Sequence, residues 1–238
     1  MRRPHCGRKI IISFDVTMKY FKQLLFLSII CSLVWFINCS DNDEIVSYNK
    51  VPENSTKTPL YLAENGITIK ASDTAVIGES YQLGGISYLV VDSAMLYKMV
   101  ANDEDVTKVV TSNVTNMGLM FDHTRFNQDI GSWDLSNVTD MNGMFDRARS
   151  FNQDIENWDV INVTNMESVF LDAEFFNQNI SSWDVSGVIR MNDMFWNATA
   201  FNQDLSAWNV SNVTECALFS NEATAWTEPK PTFTNCSE

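Results

Sequence analysis

The chain has 238 residues, enough for one or two domains, and it is acidic, with 16 basic and 30 acidic side chains. The first 38 residues hold six of the basic side chains and only one of the acidic ones, so the remainder is more acidic still. Such a body repels the phosphates of nucleic acids and anionic lipid headgroups, which argues against a nucleic-acid partner.

The N-terminus has the pattern of an export signal. An apolar run over residues 24–37 follows a basic stretch and is itself followed by polar residues. The run is shorter than the roughly 20 residues that a membrane span needs, so we interpret residues 1–38 as a signal peptide. Residues 1–17 precede Met18, which can begin such a signal by itself, and they are either a mis-assigned start or an extended basic region.

Cys39 stands at the exit of this signal. Residues 36–39, Phe-Ile-Asn-Cys, resemble a bacterial lipobox, in which the cysteine is diacylated and becomes the new N-terminus, although Asn38 departs from the usual small residue. Residues 40–44, Ser-Asp-Asn-Asp-Glu, resemble the acidic tag that sends some bacterial lipoproteins to the outer face of the outer membrane. We therefore expect a lipid anchor on Cys39 at the cell surface. An ordinary signal peptide with an incidental cysteine and an uncleaved anchor are the alternatives.

Two segments precede the repeats. Residues 39–57 are polar and typical of a flexible tether. Short β-prone runs separated by turn signals then predict a small α+β cap over residues 58–104. Asp92 or Ser93 is placed to cap a helix whose apolar residues share one face. This cap is expected to seal the first coil of the repeats.

A 25-residue repeat occupies residues 105–220. A Phe-Asn-Gln stretch recurs four times, each time with a Trp seven residues after the Phe. A strict period of this length is typical of a solenoid, in which each coil buries its apolar face against its neighbours. Residues 221–238 are expected to form a C-terminal cap. The predicted repeat core consists of the aromatic residues Phe126, Trp133, Phe151, Trp158, Phe176, Trp183, Phe201 and Trp208.

The sequence of each repeat unit predicts two secondary-structure elements. Phe151 and Ile155 bracket a short strand, and the apolar spacing over residues 163–170 predicts a short helix that faces the core. We interpret the recurring Asn-Val-Thr sequence as chemistry of the helix start. The predicted fold is an α/β repeat solenoid with a short strand plus a short helix per coil, its strands stacked as a parallel sheet.

These residues carry a family resemblance. Trp-Asp-Leu-Ser-Asn-Val-Thr-Asp-Met at residues 133–141 and the segment 145–155 closely resemble the BspA-like, DUF285-type leucine-rich repeat surface proteins of bacteria. The resemblance covers about residues 58–238. It implies a leucine-rich-repeat (LRR) type solenoid on the cell surface and, for some members, adhesion to host proteins or other cells. It brings no catalytic residue.

Polar residues recur in register as well. We expect one set of asparagines to stack about 4.8 Å apart and to satisfy backbone groups at a bend, a ligand-facing row being the alternative. We call this set the polar ladder: Asn127, Asn152, Asn177 and Asn202. Two rows of aspartates are expected to cap turns, with calcium bridging as the alternative. They are Asp134, Asp159 and Asp184, and Asp129, Asp154 and Asp204. We predict no metal site and no cofactor.

The remaining candidates are few. After removal of the signal peptide, Cys216 and Cys236 are the two cysteines left besides the lipidated Cys39. They can form a disulfide in an oxidising compartment. His123 is expected in a surface loop, with no nucleophile motif to accompany it, so we predict that the chain is not an enzyme.

The predicted function is that of a surface-anchored binding or adhesion module for an unidentified protein or cell-surface ligand. A passive spacer of the cell envelope, or a carbohydrate-binding module that uses an exposed Trp, are the alternatives.

Overall fold

A computed structural model describes residues 57–237 of the chain. The predicted signal peptide, the lipidation site Cys39 and the tether up to residue 56 therefore lie outside the described residues. No helix within the described range has the length and apolar character to cross a bilayer. The elements, in chain order, are β1 (Leu60–Leu62), β2 (Ile69–Ala71), β3 (Ser80–Leu83), β4 (Ile86–Asp92), α1 (Ser93–Ala101) and β5 (Val109–Asn113).

Two small sheets precede the repeats. β1 and β2 form an antiparallel pair, and β3 and β4 form a second antiparallel pair. Gly84 and Gly85 join β3 to β4 with φ values of 60° and 83°, the left-handed pair that a tight hairpin turn requires. β4 then pairs in parallel with β5, so the sheet order is β3-β4-β5.

Helix α1 makes the crossover between the parallel strands β4 and β5. The Asp92 carboxylate accepts a hydrogen bond from the Met95 N–H at 2.9 Å, so Asp92 is the N-cap, where the sequence placed the helix start. Leu96 is fully buried, and the Tyr97 hydroxyl donates to the carbonyl of Gly118 in the first repeat unit. The helix thus packs against the beginning of the repeats.

The repeat units lie one on another. Single parallel bridges join Asn116, Asp140, Asn165, Arg190 and Glu215 in turn, at intervals of 24 or 25 residues. In a middle unit, alternate N–H groups donate to the next unit at 2.8–2.9 Å, from Met166, Ser168, Phe170 and Asp172 to the carbonyls of Arg190, Asn192, Met194 and Trp196. Every second peptide group therefore points its N–H toward the next unit and its carbonyl toward the previous one.

The strand and the helix that the sequence predicted in each unit are not formed. Residues 151–155 have no strand, and residues 163–170 form turns with one isolated bridge. Ser168 and Asp172 have φ values of 56° and 53°, and left-handed residues at this spacing interrupt a right-handed helix. The apolar side chains are nevertheless all buried, namely Val163, Met166, Val169 and Phe170.

Aromatic rings form columns through the units. The Phe151, Phe176 and Phe201 rings follow one another at 6.0 and 5.8 Å, with interplanar angles of 11° and 5°. The rings of Trp158 and Trp183 lie 6.2 Å apart. All of these side chains are buried. Phe126 is the exception among the predicted core residues, since it is only partly buried, and its ring stacks on Phe121 at 3.8 Å.

The tryptophans also make hydrogen bonds across the stack. The Nε1–H of each donates to a carbonyl 27 or 28 residues earlier, at 3.1–3.2 Å, from Trp133, Trp158, Trp183 and Trp208 to Val106, Ile130, Ile155 and Ile180. Each indole therefore fills the core and satisfies a buried carbonyl of the preceding unit.

Both ends of the stack are covered. At the first unit, the Ile69 N–H donates to the Ser132 carbonyl at 2.9 Å, which fastens β2 to the repeats. At the last unit, a disulfide joins Cys216 to Cys236, and the Phe233 ring meets the Phe219 ring edge-on at 5.0 Å. The apolar faces of the terminal units are thereby shielded from water.

Candidate functional site

The polar ladder lies at one position of each unit and binds backbone. The Oδ1 of Asn127 accepts the N–H of Asn152 at 3.0 Å, and Asn152 and Asn177 accept from the next unit in the same way at 2.9 Å. The Oδ1 of Asn202 ends the series by accepting from Thr227 at 2.7 Å. Each of these oxygens already accepts a hydrogen bond from the next unit, so it has little accepting capacity left for a ligand.

A second asparagine set, from the Asn-Val-Thr sequences, also joins units. Asn137, Asn162 and Asn212 each donate through Nδ2 to a serine carbonyl of the preceding unit at 2.8 Å. Their interpretation as helix-start residues is wrong, because no helix follows them. They are interunit bonds, and sequence periodicity alone gives no sign of which backbone group they meet.

The aspartate rows cap turns. Asp154 and Asp159 accept from the N–H two residues ahead, at 3.0 and 3.3 Å. The other four members of the two rows do the same, at 2.9–3.1 Å. Hydrogen bonds from Ser186 and Ser206 hold the pKa of Asp184 and of Asp204 below its ordinary value. Among residues 57–237 no group of three His, Cys, Asp or Glu side chains is arranged to hold a metal ion.

Asp134 differs from its equivalents because it is buried, at 2% exposure. It accepts from the Ser112 hydroxyl at 2.6 Å and the Ser136 hydroxyl at 2.6 Å, and it pairs with Lys70 of β2 at 3.2 Å. Burial alone would raise the pKa of Asp134, but these hydrogen bonds and the Lys70 charge outweigh it and hold the pKa below its ordinary value. Asp134 therefore attaches the N-terminal cap to the first unit.

Several surface positions of the stack differ from unit to unit, and two adjacent columns of them form one surface. Its two columns are aligned by interunit hydrogen bonds, such as that from Asp172 N–H to the Trp196 carbonyl at 2.8 Å. We call it the variable face: Asp122, Asp146, Leu171, Trp196 and Asn221 in one column, and His123, Arg147, Asp172, Asn197 and Glu222 in the other. Beside it the repeat is nearly constant, with Phe at residues 121, 145, 170 and 195 and Ala at residues 148, 173, 198 and 223.

Side chains of the variable face bond along the stack. Arg147 contacts the His123 ring at 3.1 Å and pairs with Asp172 at 3.4 Å, and the Asn197 amide donates to Asp172 at 2.6 Å. His123 also contacts the Asp122 carboxylate. The predicted surface position of His123 agrees with its largely exposed ring.

Asp146 is the half-hidden member of this face. Its Oδ2 pairs with Arg147 at 3.3 Å, whereas its buried Oδ1 has no hydrogen-bond partner among the described residues. Burial raises the pKa of Asp146 above its ordinary value. The Asp122 and Asp172 charges act in the same direction, and they outweigh, together with burial, the opposite influence of Arg147 and His123. The carboxylate is thus costly to ionise in the folded protein.

The variable face contains a cavity of about 330 Å³. Its lining consists of Arg147, Leu171, Asp172, Trp196, Asn197 and Glu222. Other shallow cavities lie near the two ends of the stack, one of about 440 Å³ beside Phe126 and one of about 400 Å³ beside Leu218. Sequence analysis did not single out Trp196 or Asp172, and it interpreted Asn197, which lies in an Asn-x-Thr pattern, as a helix-start residue, although no helix follows it. The sequence signal that could have indicated them is that the residue type at these positions changes from unit to unit.

Comparisons with known proteins give a family and nothing finer. A search of curated proteins and a search of solved structures found no match. A family model described as "Mycoplasma protein of unknown function, DUF285" matches residues 92–188 and again residues 155–235. The two matches overlap, and together they extend over more than half of the chain and include all of the repeat units. The chain therefore belongs to the DUF285 family.

Proposed function

We propose that this DUF285 protein is a surface-anchored binding or adhesion module for proteins or cell surfaces, built as an LRR-type, BspA-like solenoid. Support for the solenoid comes from the bridges that join equivalent residues of successive units and from the columns of stacked rings. The proposed role involves no catalytic step, no cofactor and no nucleic acid.

One observation carries the binding role. The repeated residues are used inside the stack, in ring columns and in interunit hydrogen bonds. The variable face, on which Leu171 is buried and the other residues are half-buried or exposed, carries a different side chain in almost every unit. Residues that only build the scaffold can recur unchanged. A surface of different side chains on a regular scaffold is the arrangement that repeat proteins use to bind extended partners.

The anchor is the second part of the proposal. Cys39 follows an apolar signal-like run and precedes acidic residues, and we propose that its lipid holds the protein on the outer membrane at the cell surface. The disulfide between Cys216 and Cys236 suits an exported protein, because such bonds persist in oxidising compartments.

Mass spectrometry of the protein purified from membranes tests the anchor. We expect a mature chain that begins at a diacylated Cys39, and we expect Cys39→Ala to release the protein from the membrane. A chain whose N-terminus lies elsewhere and that carries no lipid would contradict the anchor.

The binding role is tested on immobilised collagen, fibronectin and laminin and on whole cells. The protein is purified from cells that express the full chain. We expect saturable binding that weakens when His123, Arg147 and Glu222 of the variable face are replaced together by Ala. The matched control replaces Tyr61 and Leu62, which are 44% and 51% exposed on the cap. A flat response to every surface would favour the passive spacer.

A further inference from the structure

The cavity around Trp196 joins an exposed aromatic ring to a rim of donors and acceptors. We propose that this cavity is a carbohydrate-binding site that takes a neutral sugar ring against the Trp196 indole. The inference rests on the proposed surface-binding function and names the class of ligand for one part of the variable face.

Trp196 is the exposed exception among the tryptophans of the repeats. It is 38% exposed, whereas Trp158, Trp183 and Trp208 are at most 5% exposed. Its column carries no other aromatic residue. Leu171, in the preceding unit, lines the same cavity and extends the apolar floor. A flat apolar surface of this kind suits the C–H face of a pyranose ring, because a ligand there removes the remaining indole surface from water.

The polar rim matches hydroxyl groups, each of which donates one hydrogen bond and accepts up to two. Asp172 supplies two acceptor oxygens, Asn197 supplies a donor and an acceptor, and Arg147 supplies a fork of five N–H donors. Contacts among the three side chains hold them in place. Arg147 forms an ion pair with Asp172 at 3.4 Å, and Asn197 donates a hydrogen bond to Asp172 at 2.6 Å. Because each group has more hydrogen-bonding positions than these contacts use, capacity remains for a polyol.

An extended peptide fits this cavity less well. Strand addition needs a row of unused backbone groups. Here the N–H groups of Arg147, Asp172 and Asn197 already donate to the next unit, at 2.7, 2.8 and 2.8 Å. Strand addition is therefore disfavoured here, and the side chains that line the cavity are the groups left to recognise a ligand.

An anionic ligand fits less well still. Arg147 is the only cation among the six lining residues, and its guanidinium already pairs with Asp146 and Asp172. Glu222 adds another carboxylate to the lining. A phosphate, a sulfate or a sialic acid would meet net negative charge, so the electrostatics favour a neutral ring.

The size of the cavity agrees with a small neutral ligand. At about 330 Å³ it lies at the lower end of the roughly 300–1,000 Å³ typical of ligand sites. It lies on the surface of the stack, so a longer glycan chain can continue outward from the ring that it holds.

The test applies the protein, purified from cells that express the full chain, to an array of short oligomers of glucose, mannose, galactose and N-acetylglucosamine. Sialylated glycans, sulfated glycans and peptides are placed on the same array. We expect saturable binding to at least one neutral oligosaccharide. Titration of that oligosaccharide is expected to change the Trp fluorescence.

Variants then assign the site. Trp196→Ala should weaken binding at least about tenfold, and Trp196→Phe should weaken it less because a flat ring remains. Phe175→Ala is the matched control, since Phe175 is 64% exposed and lies outside the six lining residues. Circular dichroism of each variant establishes that the stack is intact.

Several outcomes would overturn the sugar site. They are an array without any neutral hit, a Trp196→Ala protein with unchanged affinity, and binding at Trp196 that is confined to peptides or to anionic glycans. Cell binding together with no binding to any neutral oligosaccharide would overturn the sugar site and leave the surface-binding function standing. Neutral-sugar binding without any binding to cells would do the reverse.

Discussion

Asp134, Asp159 and Asp184 occupy one position of the repeat, yet their surroundings differ. Asp159 and Asp184 face solvent and cap a turn. The first unit has the β1–β2 pair on that side, and the same carboxylate there is buried beside Lys70. A carboxylate in such a place must be fully hydrogen-bonded, because an unpaired buried charge is very unfavourable.

Replacing Asp134 by Asn should therefore lower the free energy of unfolding by about 1–3 kcal/mol at pH 7, because the Ser112 hydroxyl and the Lys70 ammonium lose a charged acceptor. Urea denaturation measures the change. Asp159→Asn is the control, and we expect it to stay within about 0.5 kcal/mol because that side chain is exposed. Equal effects at the two positions would contradict the role of Asp134 as an attachment point.

The stability difference between the wild type and Asp134→Asn should also depend on pH. The folded-state pKa of Asp134 is depressed, so its contribution is fully present above the unfolded value of about 3.9. The contribution is lost as the pH falls through the folded pKa. The stability difference between wild type and Asp134→Asn should thus be largest at neutral pH and should narrow below about pH 4. A difference that grows on acidification would contradict this sign.

The polar ladder permits a test of a single oxygen. Asn152 Oδ1 accepts the N–H of Asn177 and the side-chain amide of Gln178, both at 2.9 Å. Asn152→Ala should lower the free energy of unfolding by about 1 kcal/mol, because both donors lose this acceptor. Asn152→Asp keeps an oxygen in place and should cost less than half as much in the same chemical denaturation experiment. Equal losses in the two variants would mean that the acceptor oxygen is not what the position needs.

At the scale of one repeat unit, the sequence predicted burial better than conformation. The apolar spacing over residues 163–170 correctly marks the side chains that enter the core. It does not predict the backbone, because a non-helical chain with left-handed residues at Ser168 and Asp172 buries the same positions as a helix would. The left-handed residue Ser168 and the interunit hydrogen bonds carry no local sequence signal of the kind that Gly66 or the Asp92 N-cap provides.

The candidate site was less predictable than the core. Periodicity identifies positions that recur, such as the ring columns and the polar ladder, and these lie between the units. Trp196, Asp172 and Asn197 break the period, and only the stacking of the units brings them to one cavity with Arg147. Residues that are distant in sequence and different in type cannot be grouped without the interunit register.

The tryptophan column ties a unit to the one before it. Trp183→Phe removes the hydrogen bond from Nε1 to the buried Ile155 carbonyl and keeps an aromatic ring in the core. We expect the free energy of unfolding to fall by about 1–3 kcal/mol, since a buried carbonyl is left unpaired. Thermal and urea unfolding measure the change. Trp196→Phe is the control at an exposed position, and similar losses in both would contradict the role of the bond.

On the scale of the whole molecule, stability is distributed along one direction. Each unit contacts its neighbours, so the terminal units have a partner on one side and depend on their caps. The N-terminal cap is held by Lys70 and by the backbone of Ile69. The C-terminal end depends on the aromatic contacts of Trp226 and Phe233 and on the disulfide. A destabilising change in one cap should therefore first lower the stability of the repeat unit that the cap covers.

Removal of the disulfide tests this locality. The bond joins Cys216 to Cys236 across a separation of 20 residues, a closure that contributes about 3 kcal/mol in the chain-entropy model. In Cys216→Ala/Cys236→Ala, amide hydrogen exchange should speed up in residues 205–226 and stay unchanged in β5 and the unit at residues 133–145, because local opening of the last unit does not need the others to open. The reduced wild-type protein should behave like the variant. Equal acceleration along the whole chain would mean that the units unfold as one body.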